Sequence, residues 1–169
     1  MRGTLFLIVG PSGAGKDTLI EGARAALRDD PRFVFARRVV TRPKDAGVEE
    51  HEAVTREDFD RRIGAGDFAL HWTAHGLGYG LPKSLDAELT NGRNVIANVS
   101  RTVIADAAAR CAPVRVIVIT AAPEVRARRL AARGREDQGG VASRLARSAE
   151  VPPGVASDVI VNDGAAADG

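Results

Sequence analysis

Leu5-Phe6-Leu7-Ile8-Val9-Gly10-Pro11-Ser12-Gly13-Ala14-Gly15-Lys16-Asp17-Thr18 sets an apolar run against a glycine-rich turn that ends in a lysine. Gly10 to Lys16 matches G-x-x-x-x-G-K, a pattern whose meaning depends on what flanks it. Upstream, Thr4–Val9 reads as a strand apolar at every position but its first, as expected when both faces of a parallel sheet are covered. Downstream, Gly15–Arg28 reads as a helix stopped by Asp29-Asp30-Pro31. A loop between such a strand and such a helix cradles phosphate. Its glycines let consecutive N–H groups turn inward, and the helix N-terminus adds its dipole. Gly10, Pro11, Ser12, Gly13, Ala14, Gly15, Lys16, Asp17 and Thr18 are therefore the expected nucleotide-binding residues, and the expected nucleotide is ATP. Lys16 places a compact positive charge at the phosphate being transferred. Composition alone would yield roughly 0.03 such matches in this chain, before the flanks are required.

Asp17 departs from the motif, which normally carries Ser or Thr there to contact Mg²⁺. A carboxylate beside a triphosphate is repelled by roughly 3 kcal/mol for each like-charge pair at ~5 Å and an effective dielectric near 20. Either Asp17 turns away as an N-terminal helix residue, or a cation lies between it and the phosphates. The second is preferred, and makes Asp17 the candidate magnesium ligand.

Elsewhere strand and helix alternate. Phe33–Val40 reads as one strand. Thr55-Arg56-Glu57-Asp58 has the form of a capping box opening a helix to about Ile63. Phe68–Thr73 and Gly78–Leu81 read as short strands about a turn at Ala74–Leu77, and Pro82–Leu89 as a helix closed by Asn91-Gly92. Asn94–Val99 and Val114–Thr120 are further strands, with helices over Val103–Arg110 and Pro123–Arg133, the last capped by Gly134. A helix over Val141–Glu150 and a strand over Asp158–Val161 complete the series. This order predicts a single α/β domain, a parallel sheet flanked by helices. Its core is expected over residues 1–41 and 83–169, with a lobe inserted over about 42–82, where no long apolar strand occurs.

The 169 residues suit one domain; 44% are hydrophobic and 27% charged, ordinary values for a globular protein. The apolar runs are too short to span a bilayer, and no signal-peptide cleavage pattern follows the first, so the expected location is cytoplasmic. Cys111 is the one cysteine, which rules out an intrachain disulfide or a zinc cage. Of the 24 basic residues only Lys16, Lys44 and Lys83 are lysines. The arginines crowd into Arg24–Arg42 and Arg126–Arg147, which suits a polyphosphate ligand. With aromatics at 4%, a stacking surface for nucleic acid is not expected.

Beyond the loop, several segments resemble guanylate kinases in order along nearly the whole chain. They are Thr41-Arg42-Pro43, Phe68-Ala69-Leu70-His71-Trp72, His75-Gly76-Leu77-Gly78-Tyr79-Gly80, Arg129-Leu130-Ala131-Ala132-Arg133-Gly134, Arg144-Leu145 and Val159-Ile160-Val161-Asn162-Asp163. The resemblance implies a P-loop NTPase fold with an acceptor-binding lobe and a short lid over about 134–143. It makes Arg133 and Arg144 catalytic lid arginines, and puts Asn162 and Asp163 beside the adenine. Arg129 reads equally well as a solvated helix residue. Arg42 and Tyr79 would hold the acceptor phosphate, and His51 falls where the family has a phosphate-binding tyrosine.

The departures narrow the acceptor. Where guanylate kinases read guanine with a glutamate and an aspartate, this chain has His71 and Ser100, and the family's magnesium-holding aspartate is Asn98. A phosphate-binding arginine of the family is Asp45 here. Gly-Lys-Asp in the loop, His-Trp in place of Glu-Trp, and Asn98 to Arg101 as Asn-x-Ser-Arg are similar to the ribose 1,5-bisphosphate phosphokinases, which serve phosphonate degradation. That resemblance implies transfer from Mg-ATP to a small phosphorylated sugar, with His51, His71, Ser100 and Arg101 as sugar or second-phosphate contacts. The alternatives are a nucleoside monophosphate kinase and a non-catalytic interaction module of the same fold. Such modules usually lose the loop lysine, which is kept here. No nucleic-acid or membrane partner is expected, and the chain is compatible with a homodimer.

Overall fold

The computed structural model describes residues 1–43, 50–132 and 151–164. Five parallel strands form the first sheet, in the order β2-β7-β1-β8-β9. They are β1 (Leu5–Val9), β2 (Phe33–Phe35), β7 (Asn94–Asn98), β8 (Val114–Thr120) and β9 (Ala156–Val161). β1 is central, with Leu5, Leu7, Ile8 and Val9 buried, which accounts for a run that is apolar rather than alternating. Helix α1 (Lys16–Ala26) follows β1, α4 (Ile104–Arg110) follows β7, and α5 (Pro123–Ala132) follows β8. This is an α/β P-loop fold with helices joining parallel strands. Such sheets bind ligands beyond the carboxyl ends of their strands, and the Gly10–Lys16 loop lies at that end.

A second sheet runs β4-β3-β6-β5. It comprises β3 (Arg38–Val40), β4 (His51–Ala53), β5 (Phe68–Ala74) and β6 (Leu77–Pro82), with α2 (Arg56–Ala65) between β4 and β5. Thr55 caps α2 by accepting a hydrogen bond from the Asp58 amide at 3.1 Å, as the capping box predicts. β5 and β6 form a hairpin whose central turn residues, His75 and Gly76, both take positive φ (52° and 75°). Two left-handed residues in a two-residue turn match the natural twist of the strands they join.

Three expectations need correction. Phe33–Val40 is two strands rather than one. β2 pairs with Asn94–Ile96 and ends where the Ala36 amide donates to the Ile96 carbonyl at 2.8 Å, whereas β3 pairs with Tyr79 and Gly80. Arg37 and Arg38 put charge on successive positions, so this stretch cannot stay buried on both faces, and it leaves the first sheet there. Consequently the second sheet begins at Arg38, ahead of position 42. Finally, Pro82 ends β6 and the helix following it, α3, covers Leu85–Thr90. Pro82 lies beyond the reach of β3, at a position where its missing N–H does no harm. Among the described residues no helix is long and apolar enough to cross a membrane.

Candidate active site

The loop is held from behind by the residues that follow β9 and by α5. Gly15 has φ 85°, and a Cβ there would come within 2.5 Å of the Asn162 side-chain nitrogen. Gly13 has φ 80°, and a Cβ there would meet the Arg126 carbonyl at 2.9 Å. Both glycines are therefore required by close approach as well as by conformation. Asn162, 4% exposed, donates from Nδ2 to the Ala14 carbonyl at 2.9 Å. Its neighbour Asp163 accepts from the Ala122 amide at the start of α5. Arg129 donates to the carbonyls of Gly13 at 3.3 Å and Gly164 at 3.0 Å, so it ties the loop to the end of β9 instead of pointing into solvent. Arg126, one turn earlier, is buried, and burial pulls its guanidinium below the usual range.

In front of the loop lies a cleft of about 1000 Å³. Gly10, Pro11, Ser12, Lys16 and Asp17 line one side, joined by Asn98 to Thr102 from the end of β7. The parallel register, Ile8 beside Asn98, sets that segment next to Gly10. The second sheet supplies Arg38, Trp72 to His75 and Tyr79. Lys16 donates from Nζ to the carbonyls of Gly10 at 2.8 Å and Pro11 at 3.3 Å, folded over its own loop. Asn98, 8% exposed, donates from Nδ2 to Oδ1 of Asp17 at 3.2 Å. Trp72 and Tyr79, cross-strand partners, stack with centroids 5.5 Å apart and planes 7° from parallel. The Arg38 guanidinium lies over the Tyr79 ring at 5.3 Å.

The structure thus brings Gly10, Pro11, Ser12, Lys16, Asp17, Tyr79, Ser100 and Arg101 to one cleft. Gly13, Ala14 and Gly15 form the body of the loop behind it. Thr18 is exposed on α1 and His71 is exposed on β5 beside Phe68, and neither lines the cleft. Arg42 and His51 are also absent from its lining. His51 is buried and its ring bonds the Arg42 carbonyl at 3.1 Å, so it braces the Arg42 segment. Asn162 and Asp163 support the loop and α5 from behind. Arg133, Arg144, the expected lid over 134–143 and the helix expected over Val141–Glu150 lie outside the described residues. Arg38 was not singled out from sequence. Its one signal was a charge within an otherwise apolar strand pattern.

A carboxylate oxygen suits Mg²⁺, a hard cation commonly held by one or two carboxylates together with substrate phosphates and water. Asp17 fits that role: the Asn98 bond engages Oδ1 and leaves Oδ2 without a hydrogen bond among the described residues. Among those residues no group of three or more His, Cys, Asp and Glu side chains is placed to cage a metal.

No protein-family model matches the chain. It is 58% identical over 161 residues to a bifunctional ribose 1,5-bisphosphokinase-thymidine phosphorylase of Cupriavidus necator, spanning 95% of this chain but 26% of that protein. It is 51% identical over 167 residues to ribose 1,5-bisphosphate phosphokinase PhnN of Methylobacterium radiotolerans, covering 98% of this chain and 92% of the relative. The crystal structure of guanylate kinase from Anaplasma phagocytophilum superposes with a TM-score of 0.69 at 22% identity, covering 96% of this chain and 78% of that one. That likeness shows the shared fold. With half its residues identical to a relative of nearly the same extent, and with the phosphate loop formed, the chain belongs to the ribose 1,5-bisphosphate phosphokinase family of kinases.

Proposed function

We infer that this protein transfers the γ-phosphoryl group of Mg-ATP to the 1-phosphate of ribose 1,5-bisphosphate. The products are 5-phosphoribosyl 1-diphosphate and ADP, and the step belongs to phosphonate degradation in the cytoplasm. The observation carrying this reading is the cleft itself. It places the phosphate loop, with Lys16 and Asp17, against a wall bearing Arg38 and Tyr79, with Arg101 from the end of β7. Among the described residues three cationic side chains line it against one carboxylate, Asp17, which suits a doubly phosphorylated acceptor.

In the reaction an anionic oxygen of the 1-phosphate attacks the γ-phosphorus, and the bond to the β-phosphate oxygen breaks, leaving its electron pair on ADP. The nucleophile is already ionised, so no side chain needs to remove a proton. Positioning and charge neutralisation do the work. Lys16 leaves the Gly10 and Pro11 carbonyls to meet the transferring phosphate, and the loop amides hold the nucleotide. Asp17 would hold magnesium, which would supply positive charge against the nucleotide phosphates. Arg133 and Arg144 are proposed to close over ATP and complete that neutralisation. Tyr79, Ser100 and Arg101, which line the same cleft, are proposed to contact the acceptor.

The test is phosphoryl transfer by purified protein with Mg-ATP and a panel of acceptors. Ribose 1,5-bisphosphate should be turned over efficiently, and GMP should be poorer by at least ~10³ in kcat/KM, because its guanine edge finds no buried acidic partner. Equal turnover of GMP would overturn the acceptor assignment and leave only the kinase class. Arg133→Ala and Arg144→Ala should lower kcat more than they weaken ATP binding.

A further inference from the structure

We propose that Arg38 is the specificity-determining residue for the acceptor, binding the 5-phosphate that does not react. The inference rests on the functional reading above, in which the acceptor carries two phosphates and only one reaches the loop.

Lys16 and Asp17 sit on the loop, and Arg101 follows the end of β7 beside it, so these charges gather where transfer occurs. Arg38 comes from the other sheet, on β3, and among the described residues it is the arginine or lysine that this sheet contributes to the lining. Arg42, the arginine that the sequence suggested for an acceptor phosphate, does not line the cleft, and its carbonyl is engaged by His51. Arg38 is also placed with some rigidity. Its guanidinium lies over the Tyr79 ring, which is itself stacked on Trp72, and both rings are 8% exposed. Val39 and Val40, the next residues of β3, are buried and paired with β6, which fixes the strand beneath it. A planar guanidinium already resting on an aromatic face loses little conformational freedom when it pairs with a phosphate. A sugar spanning the cleft would therefore present its reacting phosphate to the loop and its other phosphate to Arg38.

Three sugar phosphates separate the two ends. Ribose 1-phosphate retains the reacting phosphate and lacks the distal one, whereas ribose 5-phosphate has only the distal one. With wild-type protein, kcat/KM should favour ribose 1,5-bisphosphate over ribose 1-phosphate, and ribose 5-phosphate should inhibit competitively against the bisphosphate. In Arg38→Met, which preserves bulk over Tyr79, the preference should shrink by about 30-fold or more, chiefly through KM for the bisphosphate. The inhibition constant of ribose 5-phosphate should rise in parallel, with KM for ATP unmoved. Arg38→Lys should recover part of the preference, and it carries the test if the methionine variant does not fold. If Arg38→Met and Arg38→Lys slow both acceptors by the same factor, Arg38 acts at the reacting phosphate or only in folding, and the proposal is overturned. An unchanged preference overturns it as well. A wild-type protein inactive on ribose 1,5-bisphosphate would instead bring down the functional reading, and this inference with it.

Discussion

The side-chain amide of Asn98, at the end of β7, donates to the carboxylate of Asp17, in the first turn of α1, at 3.2 Å. One carboxylate and one amide thus face each other beside the phosphate loop, with a single negative charge between them. An acid in the loop repels nucleotide phosphates unless a cation intervenes. The amide orients that acid without adding to its charge.

Under the magnesium role proposed for Asp17, nucleotide affinity should depend on metal. Mg-ATP should bind wild type far more tightly than free ATP, by a factor on the order of 100 from like-charge repulsion alone. In Asp17→Asn the difference should shrink, because free ATP no longer meets a carboxylate and Mg-ATP loses a ligand. In Asn98→Asp it should widen, because free ATP then faces two acids. Calorimetric titrations with and without magnesium would measure all three gaps. Identical gaps would remove Asp17 from the metal.

Lys16→Met should fold with near-native circular dichroism yet lose at least ~10²-fold in kcat at saturating ATP, since the lysine acts mainly on charge developing in transfer. More than a tenth of wild-type kcat remaining would contradict that role.

Asn162→Ala removes the hydrogen bond to Ala14 that braces the loop from behind. The buried Ala14 carbonyl would lose its side-chain donor, at a cost of about 1–3 kcal/mol. Thermal unfolding should shift down accordingly, and ATP should bind more weakly while KM for the acceptor holds. If stability is unchanged and only adenine selectivity moves, Asn162 is a base-reading residue.

Cys111 is 1% exposed, and burial pushes its thiol above the usual range, so little thiolate forms near neutral pH. Native protein should therefore react with a chromogenic disulfide reagent far more slowly than unfolded protein. Between pH 7 and 9 the rate should keep rising without levelling, because the thiol has not yet ionised. Rapid labelling under native conditions would place the thiol at the surface.

The phosphate loop, the α2 cap at Thr55 and the strands at Leu5–Val9 and Val114–Thr120 were legible because each is set by neighbours in sequence. The break at Ala36 was not, because both halves of Phe33–Val40 have the same strand-forming pattern. Apart from Arg37 and Arg38, what separates them is the partner: Asn94–Ile96 for one half, Tyr79 and Gly80 for the other. Side-chain direction was hidden in the same way. Asn162 was found at the right strand end, yet its amide turns toward Ala14. Arg38 read as one of many arginines, because its place over Tyr79 depends on a pairing some forty residues away. Arg129 reads from sequence as either a lid-type arginine or a solvated helix residue for the same reason, since the carbonyls it bonds belong to Gly13 and Gly164.

The two sheets share one apolar interior. Val40, Leu70, Trp72, Tyr79 and Leu81 of the second pack in the same cluster as Leu5, Leu7, Val9 and Val116 of the first. The wall proposed to meet the acceptor is thus not a detachable cassette. Grafting the corresponding segment from a kinase with another acceptor would exchange part of the common packing along with the recognition groups. Its volume would have to match residues in strands that never touch the acceptor. Point changes at Arg38 or Ser100 leave that interior alone, so they offer the less disruptive route by which a sequence on this scaffold could drift from one acceptor to another.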